Sequence, residues 1–150
     1  MTMPRQDAAD QFVKLIPLIR RKLLRRSDLP QIPNLNFSHF HLLMLIEDEG
    51  AVTNGQISET LSIAPPNVTP LISKLVDEGY ITRVPDERDR RVIWNQLTEK
   101  GERVLRERRD SFRRLFEDRL AFLNEEETDR LIESLKTLTE IVEKMDKSEG

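Results

Sequence analysis

The stretch "SIAPPNVTPLISKL", residues 62–75, combines two signals that oppose each other. Four apolar residues have the i, i+3, i+4 and i+7 spacing of an amphipathic helix: Val68, Leu71, Ile72 and Leu75. The same stretch holds three prolines, which are the least favourable residues in a helix interior. With Ala64 as N-cap, Pro65 and Pro66 fall in the first turn, where backbone N–H groups have no helical partner to lose. The stretch therefore predicts a helix that begins at Pro65 and bends slightly at Pro70.

The outward face of this predicted helix carries short, polar or flat side chains. They are Pro66, Asn67, Thr69, Pro70, Ser73 and Lys74. Such side chains suit close approach to base edges and phosphates, and Lys74 is the only cation among them. The alternative is an ordinary exposed helix face, and the segment that follows bears on the choice between the two.

A short helix that starts at Thr53 or Asn54 precedes this stretch, and a predicted hairpin follows it. The hairpin strands are "YITRV" and "VIWNQL", rich in β-branched and aromatic residues and joined by the charged turn "PDERDRR". Two helices and a hairpin in this order form a winged helix-turn-helix, whose second helix enters the DNA major groove. A group of arginines surrounds the turn: Arg83, Arg88, Arg90 and Arg91. This basic hairpin favours DNA binding over an ordinary exposed face.

Longer helices are predicted on both sides of the winged helix. One covers residues 7–26, with a kink at Pro17, and another follows Ser38 as its cap and ends before Gly50. Two more follow the winged helix, capped by Thr98 and Asn124. Apolar stripes mark the first and last of these helices: Phe12, Leu15 and Ile19, then Leu131, Leu135, Leu138, Ile141 and Val142.

Composition narrows the class of protein. The chain has 150 residues, 37% hydrophobic and 34% charged, with a net charge of -3 and no cysteine. No apolar run reaches the roughly 20 residues of a membrane span, so we expect a cytoplasmic protein with no membrane partner. His39 and His41 lie two residues apart, which is not metal-pair spacing on a helix. No phosphate-binding loop or nucleophile–base pair is recognisable. We expect no cofactor, no metal and no enzymatic activity.

Residues 57–101, "ISETLSIAPPNVTPLISKLVDEGYITRVPDERDRRVIWNQLTEKG", resemble the DNA-binding segment of the MarR-type transcription regulators. The matching features are an L-x-x-x-G-Y/L-I-x-R step at residues 75–83, a D-x-R-D-x-R wing at 86–91 and an L-T-x-x-G entry at 97–101. The resemblance implies a mainly α fold, a winged helix-turn-helix with long N- and C-terminal dimerisation helices. Its parts would be residues 1–34 for dimerisation and a linker, 35–97 for DNA binding, and 98–150 for dimerisation.

The resemblance also implies roles for the wing. Arg88 or Arg90 would enter the minor groove, where the negative potential attracts an arginine, and Arg91 would also bind the DNA. Asp86 and Asp89 would brace the wing's arginines, although a purely structural turn held by Asp–Arg pairs is the alternative. Where this chain has Pro66 and Pro70, the family often has a hydroxyl and a basic residue. That departure affects which operator is read.

Two further expectations come from the resemblance. The end helices would interlock in a homodimer, although a monomer could instead fold its two apolar stripes together. In the dimer, two-fold symmetry would place the two recognition helices about 34 Å apart, which suits a palindromic site. A small aromatic or anionic effector would bind in the crevice between the dimerisation helices and the winged domain. The crevice for it would be lined by Leu18, Phe37, His41 and Leu45.

Two hypotheses of function follow. The first is a homodimeric, sequence-specific transcriptional repressor that binds double-stranded DNA and is released by an effector. The second is a winged-helix module for nonspecific DNA or protein binding. They differ in whether a defined palindrome outcompetes bulk DNA, and in whether Arg88 and Arg90 matter to that preference.

Overall fold

The computed structural model describes residues 3–28 and 31–146 and has the predicted winged helix-turn-helix architecture. The elements in chain order are α1 (Pro4–Lys22), a 3-10 turn (Arg26–Asp28), α2 (Phe37–Glu49), α3 (Asn54–Leu61), α4 (Pro65–Asp77), β1 (Ile81–Pro85), β2 (Ile93–Leu97), α5 (Glu99–Leu120) and α6 (Glu125–Asp146). The chain divides into two compact units, Met1–Arg113 and Arg114–Gly150, and α5 runs from the first into the second. Among the described residues, no helix is both long and apolar enough to cross a bilayer.

Helix α4 begins where the prolines require. Ala64 is its N-cap, and Pro65 and Pro66 occupy the first two helical positions. The helix continues through Pro70 to Asp77 and is followed by Gly79, whose φ of +79° suits a residue without a side chain. The predicted start of the helix is therefore confirmed.

The core lies in the first unit, between α2, α3, α4, the hairpin and the start of α5. Its buried hydrophobic residues are Phe40, Leu42, Leu43, Leu45, Ile46, Val52, Ile57, Val68, Ile72, Leu75, Tyr80, Ile81, Val104 and Leu105. Burying one such side chain contributes about 1.5–3 kcal/mol. The inward stripe of α4 is among the most deeply buried parts, because Val68, Ile72 and Leu75 are all at most 2% exposed.

A buried asparagine joins the hairpin to α3. β1 and β2 are antiparallel and pair from Ile81 with Leu97 to Pro85 with Ile93. Asn95 is fully buried in β2, and its Nδ2 donates hydrogen bonds of 3.0 Å to the carbonyl of Val52 and to Oδ1 of Asn54. Because Asn54 is the first residue of α3, this pair of bonds fixes the start of α3 against the sheet.

The L-T-x-x-G motif at residues 97–101 provides the cap of α5 and the space for a close backbone contact. Thr98 Oγ1 donates to the carbonyl of Gly79 (2.6 Å) and accepts the N–H of Gly101 (3.1 Å), so it caps α5 as predicted. A Cβ on Gly101 would overlap the carbonyl oxygen of Tyr80. The glycine therefore allows α5 to approach the backbone that precedes β1.

Two predicted helix boundaries were wrong. Helix α1 ends at Lys22 rather than at Arg26, since the N–H groups of Leu23 and Leu24 both turn back to the carbonyl of Ile19. Helix α2 begins at Phe37 and is capped by Asn36, not by Ser38. Asn36 Oδ1 accepts the N–H of His39 (3.2 Å), and His39 Nδ1 accepts the N–H of Asn36 (3.0 Å). Glutamate or glutamine usually fills this second role, so a histidine there is easily overlooked.

The capping role of His39 makes stability depend on pH. Burial, and then the charge of Lys74, hold the pKa of His39 below its ordinary value. A free histidine titrates near pH 6.5, so below about that pH the unfolded chain binds more protons than the folded one. Stability should therefore fall as the pH is lowered through this range. In urea unfolding at pH 7.5, 6.5 and 5.5, we expect His39→Gln, which cannot titrate but keeps an acceptor, to lose less stability than the wild type.

His41→Gln is the matched control, since it removes an exposed histidine from the same helix. It should keep most of the wild-type pH dependence. Parallel losses in the wild type and His39→Gln would exclude His39 as the group that titrates.

Candidate nucleic-acid interface

The outward face of α4 is largely exposed and does not belong to the hydrophobic core. Of its predicted DNA-contacting residues, Pro66, Asn67, Thr69, Pro70 and Ser73 are exposed and Lys74 is half-buried. Pro66, Pro70 and Ser73 follow one another at i, i+4 and i+7, so they form one stripe opposite the buried residues. This stripe consists of two flat rings and a hydroxyl and carries no charge.

The cation of the predicted face is paired. Lys74 Nζ lies 3.2 Å from Glu78 Oε1, and both side chains are about one-third exposed, 39% and 34%. A pair of this kind contributes about 0.3–0.5 kcal/mol, but it offsets the positive charge that the helix could offer to phosphate.

The wing is held by one carboxylate. Asp86 Oδ2 accepts the backbone N–H groups of Arg88 and Asp89, each at 3.0 Å. Its Oδ1 accepts the indole N–H of Trp94, also at 3.0 Å. The bond from Trp94, followed by those from the two backbone groups, lowers the pKa of Asp86. These three hydrogen bonds favour the ionised carboxylate and keep the turn closed.

A second carboxylate holds an arginine. Asp89 accepts hydrogen bonds from Arg91 Nε and Nη2, both at 3.0 Å, in a bidentate pair. The side chain of Arg91 lowers the pKa of Asp89, and Asp89 raises the pKa of Arg91. Arg88 and Arg90 are exposed and have no ion-pair partner in the described part of the chain. The wing thus presents two unpaired guanidinium groups and one paired one.

These contacts refine the roles expected of the two aspartates. Asp89 binds a wing arginine, whereas Asp86 braces the wing through its backbone and Trp94 instead of through an arginine side chain. Trp94 was missed as a wing residue, although a tryptophan on the strand beside an acidic turn supplies the N–H donor that the carboxylate needs.

The residues expected to line an effector crevice are in different environments. Phe37 and His41 share an exposed face of α2, with ring centroids 4.7 Å apart, and Leu45 belongs to the core. Leu18 on α1 is 44% exposed.

The predicted dimerisation stripes are not buried within the chain. In α1, Phe12 and Leu15 are exposed and no residue of the helix is buried. In α6, Leu135, Ile141 and Val142 are exposed, and Leu131 and Leu138 are half-buried.

Residues 35–93, which contain α2, α3, α4 and β1, match the MarR family model. The winged helix-turn-helix of this chain therefore resembles that of the MarR family. A solved MarR family protein from Bacillus stearothermophilus is 26% identical, with a TM-score of 0.76 over 94% of this chain and 99% of that one. An HTH-type transcriptional regulator of Mycobacterium tuberculosis is 28% identical over 124 residues, which cover 83% of this chain and 84% of that protein.

A second solved structure with a similar fold contains nucleic acid. A variant of MepR from Staphylococcus aureus was solved bound to an oligodeoxyribonucleotide. It is 20% identical, with a TM-score of 0.67 over 87% of this chain and 97% of that one, so the similarity concerns the fold alone. The Mycobacterium tuberculosis protein is a transcriptional regulator rather than an enzyme, the class that the sequence predicts for this chain.

The wing brace can be tested with the single tryptophan of the chain. Asp86→Ala leaves the indole N–H and two backbone N–H groups without their acceptor, so the turn should loosen. We expect Trp94 emission to shift to the red and acrylamide quenching to increase. Glu87→Ala, which removes the adjacent exposed carboxylate, should leave both signals at wild-type values. An unchanged Trp94 signal in Asp86→Ala would contradict the bracing role.

Proposed function

We propose that the protein is a homodimeric, sequence-specific transcriptional repressor that binds a palindromic operator. The observation that carries this proposal is the wing itself: Asp86 holds a turn from which Arg88 and Arg90 extend without a partner. Helix α4 would enter the major groove beside it, and one of these arginines would enter the minor groove.

Contacts to the DNA backbone and contacts to the bases would have different roles. Phosphate contacts position a protein on the duplex, and base-edge contacts select a sequence. On α4, the side chains of Asn67, Thr69 and Ser73 can donate and accept hydrogen bonds, and the rings of Pro66 and Pro70 can touch thymine methyl groups. The MepR structure with an oligodeoxyribonucleotide has the same fold, which makes this docking sterically reasonable.

A homodimer accounts for the exposed end helices. Phe12 and Leu15 on α1, and Leu135, Ile141 and Val142 on α6, are 40–52% exposed. Contiguous apolar surface of this kind marks an interaction site. A second copy would cover both stripes and give the two-fold symmetry that a palindromic operator needs.

Release by an effector is the third part of the proposal. The exposed rings of Phe37 and His41 are tilted by 48° to each other and offer an aromatic contact beside an imidazole N–H donor, suited to a small aromatic anion. Such a ligand would act by favouring one separation of the recognition helices over another.

Fluorescence anisotropy with the DNA upstream of the protein's own gene tests sequence-specific binding. With excess random-sequence competitor, we expect tight binding of one dimer per site. Arg88→Ala and Arg90→Ala should weaken it by roughly tenfold or more, since each loses a charged contact in the groove. Arg103→Ala, an exposed arginine on α5, is the matched control.

Complete loss of binding in the presence of competitor would favour the alternative, a module that binds nonspecific DNA or protein. Selection from random DNA would then establish whether another sequence is preferred. Wild-type affinity in both wing variants would contradict the role of the wing.

The dimer is tested separately by sedimentation velocity. Leu135→Lys places a charge in the exposed stripe of α6 and should shift the protein from dimer to monomer at micromolar concentration. Thr137→Lys adds the same charge at an exposed polar position of α6 and should remain a dimer. A monomeric wild type, or a Leu135→Lys variant that remains fully dimeric, would refute this interface.

A further inference from the structure

A basic cleft of about 420 Å³ lies between the start of α3 and the base of the wing. Thr53, Asn54 and Gly55 line one side, and Arg83, Arg91 and Val92 line the other. The lining contains two arginines and no carboxylate. Sequence patterns place Arg83 in the basic group around the wing but give it no partner and no role.

The sheet register explains why Arg83 faces this cleft. Arg83 pairs with Asn95 across the hairpin, and residues directly opposite each other project from the same face of a sheet. Asn95 on that face is bound to Asn54, the first residue of α3. Arg83 is exposed and has no ion-pair partner among residues 3–28 and 31–146.

Hydrogen bonds within the protein hold both sides of the cleft. Asn95 ties the first turn of α3 to β2, and the backbones of Val52 and Asn95 exchange two hydrogen bonds of 3.1 and 2.8 Å. On the wing side, Asp89 holds Arg91 in place and offsets its charge. Arg83 therefore supplies the unpaired positive charge of the cleft, and the groups around it are already held by hydrogen bonds.

Backbone groups add to the basic character. Thr53 Oγ1 accepts the N–H of Gln56, and the first helical hydrogen bond runs from Ile57 to Thr53. The N–H groups of Asn54 and Gly55 precede that bond and stay open to a ligand. A Cβ on Gly55 would lie 3.9 Å from Thr53 Oγ1 and would partly fill this side of the cleft, so the glycine lets an anion approach its backbone closely.

We propose that this cleft binds a phosphate of the DNA backbone, with Arg83 as its principal contact. The proposal rests on the proposed DNA-binding function and adds a second anchoring point to the wing tip. It also supplies positive charge that α4 lacks. On α4, Glu78 pairs with Lys74, and the stripe of Pro66, Pro70 and Ser73 carries no cation. Phosphate attraction must then come from beside the recognition helix, and Arg83 is the unpaired arginine that the sheet places next to α3.

The first test measures the salt dependence of DNA affinity. Wild type, Arg83→Gln and the control Arg103→Gln are titrated onto two duplexes, the upstream DNA and one of random sequence, across a range of salt concentrations. We expect Arg83→Gln to bind both duplexes roughly tenfold more weakly and to lower the salt slope by about one per subunit. The loss should be equal on the two duplexes, because a phosphate contact carries no sequence information. Arg103→Gln should match the wild type.

The second test locates the phosphate. Duplexes with a single neutral methylphosphonate are scanned along each half-site. The wild type should lose affinity at one backbone position where Arg83→Gln loses none. Equal melting temperatures of the two proteins would confirm that the variant is folded.

The outcomes separate the two proposals. A wild type that binds DNA while Arg83→Gln behaves like Arg103→Gln would overturn the phosphate site and leave the repressor proposal standing. A wild type without preference for any sequence would overturn the repressor proposal, while the salt slope on the random duplex would still decide the phosphate site. A wild type that binds no DNA would overturn both.

Discussion

Val68, Ile72 and Leu75 are removed from water, and their burial decides which side of α4 faces outward. Each contributes about 1.5–3 kcal/mol of hydrophobic free energy, so rotating the helix would cost several such contributions. Pro66, Pro70 and Ser73 point away from the core as a consequence. The prolines are compatible with this arrangement because Pro65 and Pro66 begin the helix, leaving only Pro70 to sacrifice a helical hydrogen bond. The orientation of the proposed recognition surface therefore follows from core packing.

The hairpin depends on two polar residues in different surroundings. Asn95 is buried and directs its amide to α3, whereas Asp86 is near the surface and gathers three N–H donors within the wing. A short two-stranded sheet has little apolar packing of its own, so such bonds set its position and shape. Asn95 fixes the base of the wing, and Asp86 closes its turn. The wing can therefore present Arg88 and Arg90 to a ligand with little loss of conformational entropy on binding.

Local patterns predicted much of this fold. The caps Ala64, Thr98 and Asn124 depend on neighbouring residues, and all three are present as predicted. The winged architecture followed from the order of periodic segments. Pairings across the fold were harder to predict, because they depend on contacts between elements. The bond from Trp94 to Asp86 belongs to this class. The histidine cap of α2 is local, and it was missed because glutamate or glutamine usually fills that position. The pair of Lys74 with Glu78 is local as well, but i,i+4 spacing does not decide whether Lys74 binds Glu78 or a phosphate.

Arg83 illustrates the same limit. In the sequence it ends the L-x-x-x-G-Y/L-I-x-R step and belongs to the arginines around the acidic turn, and neither pattern indicates what it contacts. Its distinction lies in the register that pairs it with Asn95 and in the bond from Asn95 to Asn54. A period-two pattern on β1 could have placed Arg83 on the same face as Ile81, but not beside α3.

The distribution of charge bears on the choice between a specific and a nonspecific DNA-binding protein. A nonspecific binder gains affinity from cations wherever they meet phosphate, including on the recognition helix. Here the unpaired cations of the proposed interface lie on the hairpin, whereas α4 offers rings, hydroxyls, an amide and one lysine that is paired with Glu78. Proline rings have no side-chain rotamers to lose on binding, and they reject a poorly matched base step by shape rather than by repulsion. Affinity and sequence preference would then come from different elements, with salt weakening the first more than the second. That separation is what a regulator needs when it must find one site among many phosphates, and it favours the repressor over the nonspecific module.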